Sequence, residues 1–214
     1  MKFYFGAKNE IREIYAPFYI SKYPVTVAQF VHFLKESSYN YNHLHLDMMH
    51  RISPDPECPV SPVSWWDAKY FIRWLRYVTN EYYSLPMSTE WEAACRANDG
   101  RKYPWGDEEI SDLHASFSQT VPRLYTEVVG THPLGNSPFS CSDMIGNVWE
   151  WCLDTTDDET QAICRGGSCS EVVPDCNAIS SRYYPTHMQT NYVGFRLTYL
   201  PGQMFEDYKI AQSS

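Results

Sequence analysis

The chain has no apolar run approaching the roughly 20 residues needed to span a bilayer, and it contains no C-x-x-C pair, which leaves a thiolate zinc site without support. Positive charge is scarce. Lys and Arg number 17 against 26 Asp and Glu, for a formal net charge of −9. A surface of that sign repels phosphates, which excludes a general nucleic-acid or anionic-membrane binder and any membrane insertion through basic anchors. The opening Met1-Lys2-Phe3-Tyr4-Phe5-Gly6 runs into Lys8, Glu10 and Arg12, too interrupted for the apolar core of a signal peptide. Internal repeats and low-complexity tracts are also missing. With no export signal, the seven cysteines (58, 95, 141, 152, 164, 169 and 176) are expected as reduced thiols. The chain is expected to be cytoplasmic at synthesis, or associated with a virion after release.

Hydrophobic residues make up 43% of the 214 residues and aromatics 16%, enough for one core and one domain spanning 1–214. Capping-box patterns mark three helix starts: Thr26 with Gln29, Ser64 with Asp67, and Thr89 with Glu92. After Ser64, the residues Ala68, Phe71, Ile72 and Leu75 recur at helical spacing and define a buried face. A strand or hairpin is expected over 12–20, and short strands over 148–153 and 195–200. Residues 97–145 lack a sustained period, so they need aromatic pinning if they are ordered. The expected class is α+β, two main helices on a small twisted antiparallel sheet with much ordered loop.

Seven motifs occur in order: Pro24-Val25-Thr26, Pro62-Val63-Ser64-Trp65, Leu85-Pro86 with Glu90-Trp91-Glu92, Tyr103-Pro104-Trp105-Gly106, Gly146-Asn147-Val148-Trp149-Glu150-Trp151, Arg165-Gly166-Gly167-Ser168 and Gly194-Phe195-Arg196. Together they resemble the formylglycine-generating-enzyme (sulfatase-modifying factor) family. The resemblance implies a C-type-lectin-like fold of that type. In the sulfatase-activating enzymes two cysteines five residues apart, after Gly-Gly-Ser, bind copper. Here the second position is Cys176 but the first is Glu171, and Cys169 is seven residues from Cys176. Copper(I) needs two soft thiolates converging on one point, so the oxidative chemistry is expected to be lost. The rival expectation, a copper- or iron-dependent oxidative enzyme, would have to draw on Cys169, Cys176 and His187.

The same brackets, Arg165-Gly166-Gly167-Ser168 and Gly194-Phe195-Arg196, also resemble those of variable proteins of diversity-generating retroelements, in which adenines of chiefly asparagine codons are replaced. That resemblance implies a non-enzymatic binder of viral or mobile-element origin, with a hypervariable region about 164–196. Asparagine codons altered at adenine reach Ser, Tyr, Thr, His, Ile, Val and Cys, but never Glu, Gln, Lys, Met or Trp. The implied ligand-binding set is Cys169, Ser170, Val172, Val173, Asn177, Ser180, Ser181, Tyr183, Tyr184, Thr186, His187, Thr190, Asn191 and Tyr192. Tyr183, Tyr184 and Tyr192 are the expected anchors, since Tyr offers large rigid contact area at low entropy cost. Glu171, Met188 and Gln189 lie outside the reachable set and are expected to be constant or to arise otherwise. The implied partner is a protein or glycan on another cell or particle.

The enzyme-family resemblance further implies a calcium position at Asp143, Gly146, Val148 and Glu150, two of them through carbonyls. The competing expectation is that Glu150 takes hydrogen bonds from its neighbours. His43, His45 and His50 with Asp47 form an H-x-H-x-D-x-x-H cluster, expected in a solvated loop. Asp157-Asp158-Glu159 is expected as an exposed turn, and Arg165 and Arg196 as structural ties.

Overall fold

The computed structural model describes residues 1–14, 17–119 and 121–201. Helix α1, Val27–Glu36, starts where its capping box places it: Thr26 Oγ1 accepts from Gln29 N–H at 3.4 Å, and Gln29 Oε1 accepts from Thr26 N–H at 2.9 Å. Helix α2, His43–Ile52, stands where a solvated loop was expected. Asn42 initiates it by accepting the Leu44 N–H at 2.9 Å, and the burial of Met49 and Ile52 holds it down. Three histidines and an aspartate obscured that short apolar stripe. Helix α3, Trp65–Thr79, carries the reciprocal Ser64–Asp67 box and ends at Asn80 in the left-handed region. Helix α4, Ser88–Arg96, begins ahead of the expected Thr89 cap. Its start is set partly from a distance: Asp154 Oδ2 accepts the Ser88 N–H at 2.6 Å, and Glu90 Oε2 accepts the Met87 N–H at 2.8 Å.

Nine short strands form three sheets among the described residues. The pair β1 (Lys2–Phe5) and β2 (Glu10–Glu13) is antiparallel. Strands β3 (Tyr19–Ile20) and β4 (Tyr82–Ser84) flank β9 (Thr198–Leu200) in a three-stranded sheet. The strand or hairpin expected over 12–20 is therefore two strands of different sheets, and residues 15 and 16 lie outside the described residues. The third sheet runs β7 (Ser181–Pro185), β6 (Gln161–Arg165), β5 (Trp149–Thr155), β8 (Val193–Gly194). Its β5–β8 pairing is parallel, whereas β5–β6 and β6–β7 are antiparallel.

Two buried clusters share this frame. One lies between α1, α3 and the inner face of the four-stranded sheet, built on Phe30, Phe33, Phe71, Trp149, Trp151 and Phe195. The other lies under the long irregular segment and includes Trp91, Cys95, Phe117, Met144 and Cys176. Residues 97–145 are pinned by aromatics, as the sequence requires: Trp105 stacks between Tyr103 and His114 at centroid distances of 4.8 and 4.6 Å. All seven cysteines are buried and unpaired.

Burial pushes the Glu90 carboxyl up from 4.5 to about 7, opposed by the Met87 N–H and reinforced by the charge of Asp154. The folded protein then holds this proton more tightly than the unfolded chain, so the associated stability is complete below pH 4.5 and lost as pH rises to about 7. Glu90→Gln is expected to flatten a fall of about 3 kcal/mol over that window, read by urea denaturation at several pH values. An unchanged slope in the variant would refute this assignment.

Candidate functional site

The two glycines of Arg165-Gly166-Gly167-Ser168 turn the chain away from β6 with φ of 95° and 81°. A Cβ would meet the Met144 carbonyl oxygen at 2.7 Å on Gly166 and the Asp175 carbonyl oxygen at 2.8 Å on Gly167, so both positions exclude side chains. The segment is then stitched to the scaffold by its backbone. Cys169 N–H donates to Asn147 O at 3.0 Å, Ser118 N–H donates to Glu171 O at 2.8 Å, and Ser118 Oγ donates to Cys169 O at 2.9 Å. At the far end, β8 returns the chain beside β5, with Trp149 N–H donating to Tyr192 O at 2.8 Å.

Between these stitches the expected contact residues separate by burial. Val172, Ser181, Tyr183, His187 and Asn191 are exposed, and Ser170, Val173, Asn177, Ser180, Thr190 and Tyr192 are half-buried. Strand β7 is the edge of its sheet, and its alternation points Ser181 and Tyr183 outward while Arg182 and Tyr184 turn inward. Three expected contact residues are held inside instead. Cys169 is fully buried, Thr186 is buried with its hydroxyl on the carbonyls of Glu159 and Thr160, and Tyr184 packs edge-on to Trp151. Met188, excluded by its codon from the expected set, is 49% exposed on the same face. Its signal was the two-sided placement of its neighbours, which needs the fold to read.

Glu171, at the position of the absent copper cysteine, has a different use. Its carboxylate pairs with Arg182 at 2.6 and 3.0 Å and accepts from Trp149 Nε1 at 3.3 Å, while Arg182 also reaches Asp175 at 2.9 Å and lies 4.9 Å over the Trp149 ring. Cys176 donates its S–H toward the carbonyls of Ser168 and Glu171. Burial pushes both Cys169 and Cys176 up to about 12, so without a bound cation each is a neutral thiol near pH 7. Among the described residues no group of three or more His, Cys, Asp or Glu is placed to hold a metal ion. On α2, His43 and His50 are exposed whereas His45 packs toward Tyr41.

The two carboxylates of the implied calcium position have partners within the protein. Glu150 is fully buried: Arg196 donates to its two oxygens at 2.6 and 2.7 Å, and Trp91 Nε1 donates at 2.6 Å. Asp143 is buried, and its Oδ2 accepts the Gly130 N–H at 2.6 Å. As arranged, these side chains do not fit a calcium ion, since the cation facing Glu150 is a guanidinium. Arg196 also donates to the carbonyls of Ser21, Lys22 and Ser142, and Arg165 pairs with the buried Glu92. Both arginines are the structural ties that the sequence led us to expect. The 157–159 stretch is an exposed turn in which Asp158 accepts from Thr156 and Thr160.

A family model described as the sulfatase-modifying factor enzyme 1-like domain matches residues 3–199. The chain belongs to that family. It is 35% identical over 97 residues to the hercynine oxygenase of Mycobacterium tuberculosis, a match covering 44% of this chain and 21% of that protein. The first curated relatives are therefore about twice as long as this chain, and the match spans about a fifth of their length. The fold is shared with PvdO from Pseudomonas aeruginosa, at a TM-score of 0.74 and 19% identity, covering 93% of this chain and 90% of that one. It is also shared with Treponema denticola variable protein 1, at a TM-score of 0.64 and 18% identity, covering 85% and 84%. The architecture is thus the α+β, C-type-lectin-like fold of the formylglycine-enzyme type.

Removing one partner of a buried ion pair leaves the other charge unpaired, a loss of about 3–5 kcal/mol. Arg196→Met is expected to destabilise the protein by that amount in urea denaturation. A loss below about 1 kcal/mol would show that Glu150 is neutralised in another way.

Proposed function

We propose that this protein is a non-enzymatic binder whose contact surface is the stretch from Ser170 to Tyr192, diversified as in retroelement variable proteins, and whose ligand is a protein or glycan on another cell or particle. The observation that carries this reading is the division of labour in the segment. Backbone bonds and two obligatory glycines fix its path, while the side chains of Val172, Ser181, Tyr183, His187 and Asn191 are exposed and make no hydrogen bond among the described residues. Exposed positions of this kind accept substitution at little cost to stability. Tyr183, 54% exposed on an edge strand, is the leading anchor, with half-buried Tyr192 beside it in the sequence bracket. The Glu171–Arg182 pair weighs against the oxidative alternative, because a carboxylate committed to a guanidinium stands where the first copper thiolate would be needed. The shared fold with a variable protein supports the reading only as architecture, since enzymes use the same fold.

Backbone geometry adds an independent argument. Tyr192 holds φ at 62°, a left-handed conformation that costs most side chains of order 1 kcal/mol and that asparagine tolerates best. An asparagine codon in an invariant template would place the best-suited side chain there, with tyrosine one adenine change away. Tyr192→Asn is therefore expected to stabilise the protein by up to about 1 kcal/mol, raising the thermal midpoint by a few degrees. A lowered midpoint would remove this support.

The direct test is the DNA beside the gene. The expected finding is a near-identical repeat of the 164–196 coding region that differs at adenines, next to a reverse transcriptase. The lack of such a repeat would overturn diversification. Tight copper binding that Cys176→Ala abolishes would favour the enzyme instead.

A further inference from the structure

Helix α3 carries a cluster that neither the buried core nor the 169–192 surface uses. Lys69, Arg73 and Arg76 follow one another at spacings of four and three residues, so they share one flank of the helix. Like charges at these spacings repel, and in a chain of net charge −9 a row of three cations, of which Glu159 acts on Lys69, calls for a reason. Among the described residues, Lys69 and Arg73 have no hydrogen bond or ion pair to any carboxylate; Lys69 Nζ instead stands 4.9 Å over the Trp65 ring. Arg76 donates to the Tyr83 carbonyl at 2.5 Å and lies 4.0 Å over the Tyr82 ring, which fixes its position without neutralising its charge.

Aromatic rings flank the same cations. Trp66 and Tyr70 are 42% and 45% exposed, one helical turn apart. With Lys69, Arg73 and Arg76 they line a hollow of about 310 Å³, and Tyr70 and Arg73 form the ridge between it and a second hollow of about 410 Å³. The second hollow offers Ser37, Ser38 and Tyr39 against Trp74. Exposed rings pack against C–H faces, hydroxyls suit sugar hydroxyls, and a guanidinium fork matches a carboxylate in two parallel bonds. No side-chain amide or carboxylate lines either hollow to read the edge of a nucleobase. The overall negative charge also disfavours a long polyanion.

We infer that the Trp66–Tyr70–Arg73 ridge of α3 is a second ligand site, built for a pyranose sugar bearing a carboxylate. The rings of Trp66 and Tyr70 take the apolar face of the sugar, Arg73 takes the carboxylate, and Lys69 and Arg76 supply the surrounding positive field. The site does not depend on whether residues 169–192 vary. It lies near that surface all the same, because Gln189 Nε2 donates to Asp67 Oδ2 at 2.7 Å and so ties the segment to the first turn of α3. A glycan-coated target would then meet a fixed sugar contact beside an adaptable one.

The test is an NMR titration of the full chain with methyl glucuronide, uncharged methyl glucoside, inorganic phosphate and adenosine monophosphate as separate probes. Methyl glucuronide is expected to bind at least tenfold more tightly than the glucoside and to weaken with salt. Arg73→Ala and Trp66→Ala, both at exposed positions, are each expected to weaken it about tenfold or more with an unchanged melting temperature, while Tyr183→Ala leaves it unaltered. Equal binding of glucuronide and glucoside would overturn the proposal, as would the lack of saturable binding or insensitivity to Arg73→Ala. Phosphate binding as tightly as the glucuronide would reduce the ridge to a simple anion site, and tighter binding of the nucleotide would reassign it; either refutes the sugar acid.

Discussion

A carboxylate and a guanidinium, both removed from water, face one another at the centre of this protein, and the rest of the structure is arranged so that neither is left alone. Glu150 sits on β5 and Arg196 on the chain between β8 and β9, so their two bonds join the Trp-Glu-Trp motif to the Gly-Phe-Arg motif. Such a pair is favourable only if its remaining hydrogen-bonding capacity is also met. Trp91 of α4 supplies the third donor to Glu150, and the carbonyls of Ser21, Lys22 and Ser142 take the remaining guanidinium protons. One ion pair therefore ties together the chain after β3, the long irregular segment, α4 and both central motifs. At Ser142 it adds a polar tie to the aromatic pinning of residues 97–145.

The second constraint is steric. Gly166 and Gly167 sit where a Cβ would strike backbone atoms, and Gly146 repeats the device, since a Cβ there would come within 2.2 Å of the Ser116 carbonyl oxygen. Positions held by backbone approach do not depend on neighbouring side chains. The 168–192 segment is thus fixed by its glycines, its main-chain bonds and the Glu171–Arg182–Trp149 stack. Its outward side chains carry little of the stability, which is the physical condition for a surface that can be rewritten.

Much of this was legible in the sequence, and what was not has a common cause. The starts of α1 and α3 are local events: a hydroxyl and an acceptor three residues later suffice, and both fell where Thr26–Gln29 and Ser64–Asp67 put them. The start of α4 is only half local: Glu90 accepts the Met87 N–H, but the Ser88 N–H goes to Asp154 of β5. Helix α2 hid because its apolar residues are interleaved with three histidines and an aspartate, and only Met49 and Ile52 are buried. Glu150 was visible as a carboxylate suited to a cation, but only the fold shows that the cation is Arg196. Tyr183 and Tyr184 are identical as letters; the edge position of β7 sends one outward and the other onto Trp151.

Burial also sorts the positions that codon chemistry treats as equal. Cys169 has no exposed surface, and Thr186 binds two carbonyls across the β5–β6 turn. A larger side chain at either must displace packed neighbours, at a typical loss of about 1–3 kcal/mol. Tyr183 or Asn191 has no such neighbours to displace. Under random replacement at adenines, the set of folded variants would be narrow at 169 and 186 and broad at 183 and 191. The pattern of tolerated residues along 169–192 is then set by the β7 alternation and the backbone stitches as much as by the genetic code. Any replacement along this segment is limited by which side chains the scaffold leaves without structural work.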